Sequence, residues 1–181
     1  MFYDTSMSYW AASPSPMSCM LPVAHGEGSL RCKFAGVGTL SVTKTTDEDG
    51  KVSYDFYDKK GRLTMTRQMD GTTPHSTYYV YDHLDRLSYI LPPLAADALR
   101  GINGLVSDTI ACLQQYAYIY RYDKRGNLKY KKLPGCEPIY YVYDKGDRLI
   151  FTQDGEQRTR GEWSFTFPDA FGRMLLGGTC T

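Results

Sequence analysis

Two pairs of aspartates, Asp82 with Asp85 and Asp144 with Asp147, lie in almost identical surroundings: YYVYDHLDRL over 78–87 and YYVYDKGDRL over 140–149. Two carboxylates within one tight turn can stand about 5–10 Å apart, the separation a glycosidase needs to flank a sugar bond. The same slot, however, is filled by Asp58 and Asp123 with no second carboxylate three residues on. An aspartate there also has a conformational reason, because its carboxylate accepts a hydrogen bond from the backbone two residues on and nucleates the turn. The turn reading is therefore preferred to the catalytic one, and no residue is assigned a catalytic role.

Other chemistries are less well supported. The run DEDGKVSYDFYD over 47–58 places Asp47 and Asp49 at the first and third positions of a calcium loop. The sixth position, which must be glycine, is Val52, and the twelfth, which should be glutamate, is Asp58. His25, His75 and His83 are expected in loops or turns, with no second ligand at metal spacing. The five cysteines, Cys19, Cys32, Cys112, Cys136 and Cys180, include no CxxC pair and read as ordinary thiols. No serine stands in a G-x-S-x-G elbow, and AGVGTL lacks the third glycine of a dinucleotide fingerprint. Neither a cofactor nor a metal is expected.

The elements that must carry these residues are strands. Tyr-Asp, two or three spacers, then a small or polar residue and Arg-Leu recur as YDKKGRL (57–63), YDHLDRL (81–87), YDKRGNL (122–128) and YDKGDRL (143–149). In a decayed fifth copy, PDAFGRM (168–174), Asp169, Gly172 and Arg173 hold register. All but one of the spacings fit a period in the low twenties. Strands such as STYYVYD alternate their side chains between two faces and run into the aspartate. Glycine three residues later, at Gly61 and Gly126, supplies the positive φ that closes a type I turn into a returning strand. Each unit is a β-hairpin whose structural residues are Tyr57, Asp58, Gly61 and Arg62; Tyr81, Asp82 and Arg86; Tyr122, Asp123 and Gly126; and Tyr143, Asp144 and Arg148. At Asp85 and Asp147 aspartate replaces the closing glycine, which the left-handed region tolerates. Gly146 stands one place early, so that turn is expected to differ in type. Asn127 replaces the arginine, so one chemical task common to every copy does not require it.

A further hairpin, TLSVTKTT, DEDG and KVSYDFYD, precedes the first unit, and GEWSFTF and RMLLGG supply the last strands. The fold expected is mostly β, about ten or eleven strands of antiparallel hairpin repeats in a curved sheet. The long gap, 92–117, is rich in alanine and leucine at near-helical spacing, which predicts two short helices near 93–100 and 107–116 with Ser107 as an N-cap. Residues 1–35, with SPSP and GEG and no sustained periodicity, read as irregular, leaving 36–181 as the β domain.

The 181 residues suffice for one domain with a real core. With 21 basic and 20 acidic residues, nothing points to nucleic acid or an anionic membrane. No run is apolar enough to span a membrane, and MFYDTSMSYW does not read as a secretory signal. The chain is thus expected to be cytosolic or a piece of something longer whose signal lies elsewhere. Tyrosine is abundant, with 16 residues. Tyr79 with Tyr81, Tyr141 with Tyr143, and Tyr116, Tyr118, Tyr120 and Tyr122 form one-face ladders. Exposed, these would stack on sugar rings; buried, they would hold strands together, and the structural role is preferred.

The repeated Tyr-Asp, turn, Arg-Leu unit resembles the Rhs, or YD-repeat, family over roughly residues 50 to 181. The stretches LPPLAAD and RYDKRGNLKYKKLPG are similar to Rhs-type proteins of gut Bacteroidetes. The resemblance implies extracellular or cell-surface β-structured repeats, long arrays of which coil into a hollow shell around a C-terminal toxin. Some members are described as sugar-binding or cell-wall-associated. About five copies are too few to close a shell, and the motif ending a complete Rhs core is missing, so the chain resembles an internal segment of a longer array or a truncated relative. The resemblance implies a non-enzymatic scaffold that encloses or displays another domain, with further repeats of the same or a longer chain as partners. The alternative is carbohydrate or cell-surface binding through exposed tyrosine ladders.

Overall fold

A computed structural model of the chain describes residues 20–24, 26, 28–34, 39–100, 102 and 104–181. The chain divides into two compact units, Met1–Tyr116 and Ala117–Thr181.

The described part of the N-terminal unit opens with β1 (Met20–Ala24) and β2 (Ser29–Phe34), paired antiparallel. These strands correct the reading of the segment up to residue 35 as irregular; residues 1–19, 25, 27 and 35 lie outside the described residues. The alternation in β2 is short, with Leu30 and Cys32 buried around an exposed Arg31, and the flanking glycines and proline masked it.

An antiparallel meander follows, β3 (Ser41–Thr46), β4 (Val52–Tyr57), β5 (Leu63–Asp70), β6 (Thr73–Tyr81) and β7 (Leu87–Leu91), in that spatial order. Its register sets one row of side chains across all five strands: Val42, Phe56, Met65, Tyr78 and Leu91. Period-2 alternation puts this row on one face, and all but the half-buried Tyr78 are buried, together with Val80 and Tyr89. His75 lies in β6 rather than in a loop.

The insertion departs from the two helices expected. α1 (Pro93–Ala98) begins with proline at the first turn, where its missing N–H is not needed, and buries Ala95. The chain then extends as β8 (Gly104–Ser107) and coils again as α2 (Ala111–Tyr116). β8 pairs with β2, placing Val106 opposite Leu30, so 104–107 is claimed by long-range strand pairing that helical spacing could not reveal. Ser107 ends that strand instead of capping α2; its hydroxyl accepts from the Thr109 amide. Tyr116 accordingly belongs to α2 and not to the ladder that follows.

The C-terminal unit is a second antiparallel meander: β9 (Tyr118–Tyr122), β10 (Leu128–Lys132), β11 (Ile139–Tyr143), β12 (Leu149–Gln153), β13 (Trp163–Pro168) and β14 (Met174–Cys180). Between β12 and β13 lies α3 (Gly155–Arg160), which the sequence reading did not foresee. Its start is a reciprocal capping box between Asp154 and Gln157, and Gly161 ends it in the left-handed conformation. No helix among the described residues is long and apolar enough to cross a membrane.

Candidate functional site

Each of the five aspartates that begin the repeat turns closes its turn in the same way. The aspartate N–H donates to the carbonyl of the residue four places on, and the N–H three places on donates back to the aspartate carbonyl. One carboxylate oxygen, Oδ1, accepts from the amides two and four residues ahead. These are Lys60 and Arg62 on Asp58, Leu84 and Arg86 on Asp82, and Arg125 and Asn127 on Asp123. Gly146 and Arg148 do the same on Asp144, and Phe171 and Arg173 on Asp169. The other oxygen, Oδ2, accepts from Nε of Arg62, Arg86, Arg148 and Arg173 at 2.7–2.8 Å. In the third turn Asn127 takes the arginine's place, its Nδ2 donating to Asp123 Oδ2 at 3.2 Å.

The fourth turn residue always has positive φ: 77° at Gly61, 62° at Asp85, 96° at Gly126, 59° at Asp147 and 82° at Gly172. The strand register slips beside every one of these turns, at Tyr57, Tyr81, Leu128, Tyr143 and Pro168. A type I turn followed by a left-handed residue in a bulge is a standard three-residue hairpin loop. The expectation that Gly146 changes the fourth turn is corrected: Asp147 carries the positive φ, and Gly146 only donates to Asp144 Oδ1.

A sixth turn with the same backbone closure, Asp47–Lys51, lies outside the repeat consensus. The Asp47 N–H donates to the Lys51 carbonyl, Gly50 N–H to the Asp47 carbonyl and Lys51 N–H to Asp47 Oδ1. Thr46, Lys51 and Val52 replace tyrosine, arginine and leucine there; the surviving signal is the Asp-x-x-Gly spacing.

Neighbouring turns are also joined sideways. Lys60 Nζ reaches both oxygens of Asp85 at 2.8 Å, and Arg62 Nη1 also bonds Asp85. In the C-terminal unit Arg125 Nη1 and Asn127 Nδ2 bond Asp147 Oδ1 at 2.6 and 2.7 Å. Arg148 Nη1 then donates to the Asp169 carbonyl at 2.9 Å. The tyrosine before a turn adds a second link: Tyr81 donates its hydroxyl to the Leu63 carbonyl and Tyr143 to the Leu128 carbonyl. The Arg62 guanidinium lies over the Tyr81 ring, 4.8 Å from its centroid.

These contacts set the electrostatics. Burial alone would push the Asp58 and Asp82 carboxyls up. The side chains and amides of Arg62 and Arg86, with a further turn amide, more than offset this and hold both below the usual carboxylate range. Asp85 is held low chiefly by Lys60, and Asp147 by Arg125 and then Asn127. In Asp144 and Asp169 the leading cause is the amide of the arginine four residues on. At Asp123 burial is outweighed by the amide and side chain of Asn127. Within each suspected pair, the second aspartate bonds the neighbouring turn while the first closes its own. A carboxylate held ionised in this way is a poor general acid near neutral pH.

The ladder tyrosines Tyr79, Tyr81, Tyr118, Tyr120, Tyr122, Tyr141 and Tyr143 are all half-buried. Burial raises the phenols of Tyr81, Tyr120 and Tyr143. His83 is exposed in the second turn, Cys32 is buried, and His25 and Cys19 lie outside the described residues.

No family model and no curated protein matches the chain. Solved structures do. The Photorhabdus luminescens Tc holotoxin pore contains a chain that superposes with a TM-score of 0.57 at 16% identity, over 81% of this chain and 7% of that one. A TcdB2-TccC3-TEV structure gives 0.54 at 14%, covering 84% and 8%. A TcdB2-TccC3-Cdc42 structure gives 0.54 at 13%, covering 90% and 12%. The chain therefore spans about a tenth of the length of the chains it matches. What it has in common with them is a fold: antiparallel β-hairpins repeated along a sheet.

Proposed function

We propose that this chain is a stretch of non-enzymatic β-scaffold in a secreted or cell-surface Rhs-type protein, whose task is to enclose or display another domain. One observation carries the reading. The polar groups repeated from unit to unit are spent on closing each hairpin and bonding it to the next, as Arg62 with Asp85 and Arg125 with Asp147 do. Repetition of nearest-neighbour links is how repeat proteins propagate. The likeness to small parts of much longer Tc toxin chains supports the same reading.

Two measurements test it. Protease shaving of intact cells, followed by detection with an antibody against this chain, should find it outside the cell; recovery only from the cytosol would contradict the reading. A panel of glycans should pass through unhydrolysed. Hydrolysis that vanishes in Asp144→Asn but survives in Asp58→Asn would replace the scaffold with a glycosidase.

A further inference from the structure

The two end strands of the meanders differ. β3, at the free edge of the N-terminal meander, reads SVTKTT, with exposed polar side chains and Lys44, which discourage pairing. β14, at the end of the C-terminal meander, reads MLLGGTC, with no charge and with Met174, Leu175 and Leu176 exposed. β14 pairs with β13 along one edge, Phe165 lies over Gly178, and among the described residues no strand pairs with its other edge.

The adjoining turn shows what fits there. Within each meander a donor near the end of one turn bonds the next: Arg62 to Asp85, Asn127 to Asp147, Arg148 to the Asp169 carbonyl. Arg173 is the same residue in the last turn. Its Nε and Nη2 hold Asp169 Oδ2 and its guanidinium lies over Phe171, while Nη1 has no partner among the described residues. The strand leaving a repeat turn is followed in space by an antiparallel strand that runs toward the next turn: β5 by β6, β10 by β11, β12 by β13.

From this we infer that β14 and Arg173 form a socket for a further Tyr-Asp hairpin of a longer array. The incoming strand runs antiparallel to β14 and turns beside Asp169–Arg173. Its turn aspartate accepts from Arg173 Nη1, and its tyrosine hydroxyl donates to the Met174 carbonyl, the counterpart of Leu63 and Leu128. A second copy of this chain fits less well. β14 paired antiparallel with its own copy would carry the partner's turn to the opposite end of the strand, leaving Arg173 unmatched. β3 starts at the repeat-turn end of its meander, as β14 does of its own, so a head-to-tail joint with matching ends would be parallel in a sheet that is otherwise antiparallel.

This inference rests on the scaffold reading, and its test is separate. The probe is a labelled peptide of residues 139–153, IYYVYDKGDRLIFTQ, held as a hairpin by a disulfide between cysteines added at its ends. Titrated with the full chain, it should bind one to one and slow hydrogen exchange at β14 amides. Arg173→Ala should weaken binding about fivefold or more, as expected for a bond to a charged group. An Asp147→Gly peptide keeps a left-handed turn residue but loses the acceptor, so it should lose less against Arg173→Ala than against the wild-type chain. Absence of binding, or equal affinity for Arg173→Ala, overturns the socket without touching the extracellular scaffold reading. So does self-association in sedimentation that protects β14 and is indifferent to Arg173.

Discussion

In the N-terminal unit a row of large apolar side chains, Val42, Phe56, Met65 and Leu91, is buried, whereas Val142, Phe167 and Leu176 of the C-terminal unit stay open to solvent. The turns at the ends of both meanders are nonetheless the same, down to which carboxylate oxygen takes which donor. What packs around these side chains differs as well: Leu40, Tyr54 and Tyr78 lie against Val42, Phe56 and Met65. In the N-terminal unit β1 and α1 pack on β6, and α1 also on β7. In the C-terminal unit α3 lies at one end, its Arg158 guanidinium 5.1 Å from the Tyr140 ring centroid. The turn is thus a local device, complete in itself, while the N-terminal core takes side chains from several strands of the meander at once.

Core truncation should separate the units most. Met65→Ala, at a fully buried site, should cost about 3 kcal/mol in urea unfolding, and Phe167→Ala, at a half-open one, about 1 kcal/mol or less. Equal losses would break the comparison. Next come the turn carboxylates. Asp82→Ala should cost about 2 kcal/mol, since it removes the acceptor of two amides and the carboxylate that faces a half-buried guanidinium. Asp144→Ala should cost less, because its arginine is more exposed. Gly61→Ala should cost about 1 kcal/mol, a purely conformational loss, because a Cβ there would touch nothing while φ is 77°.

The smallest effect per group should come from acid. The turn aspartates in both units have folded pKa values below the unfolded value of about 3.9. The unfolded chain then binds more protons, so their contribution is present above about pH 4 and is lost as pH falls through the lowered folded values. Urea midpoints at decreasing pH should drop in that window; a midpoint that holds steady there would contradict the assignment.

The hairpins were readable because everything that specifies them is local: alternation, an aspartate, and a left-handed residue three places on. The turn at Asp47–Lys51 escaped as a copy because three of its consensus side chains are replaced, although the backbone needs only Asp47 and Gly50. β8 escaped because its pairing with β2 spans some seventy residues of chain, which no local period records, whereas β1 and β2 form a local hairpin whose alternation is short. Signals for α3 were present in Asp154, Gln157 and Gly161, but its single six-residue stretch offers too little periodicity to stand out. The sideways links from Arg62, Arg125 and Arg148 were invisible for the same reason as the strand pairings. The sequence shows that arginine recurs, and the fold shows that it faces the next turn.

The central claim is that the repeated aspartates are structural closures of a ladder of hairpins. Hydrogen exchange at the Gly146 and Arg148 amides in Asp144→Ala tests it most directly, because both donate to the carboxylate that the substitution removes. Faster exchange at these two amides, with the β11–β12 ladder still protected, is the result predicted. Unchanged protection at both would contradict the account and return Asp144 to the list of residues whose purpose is chemistry.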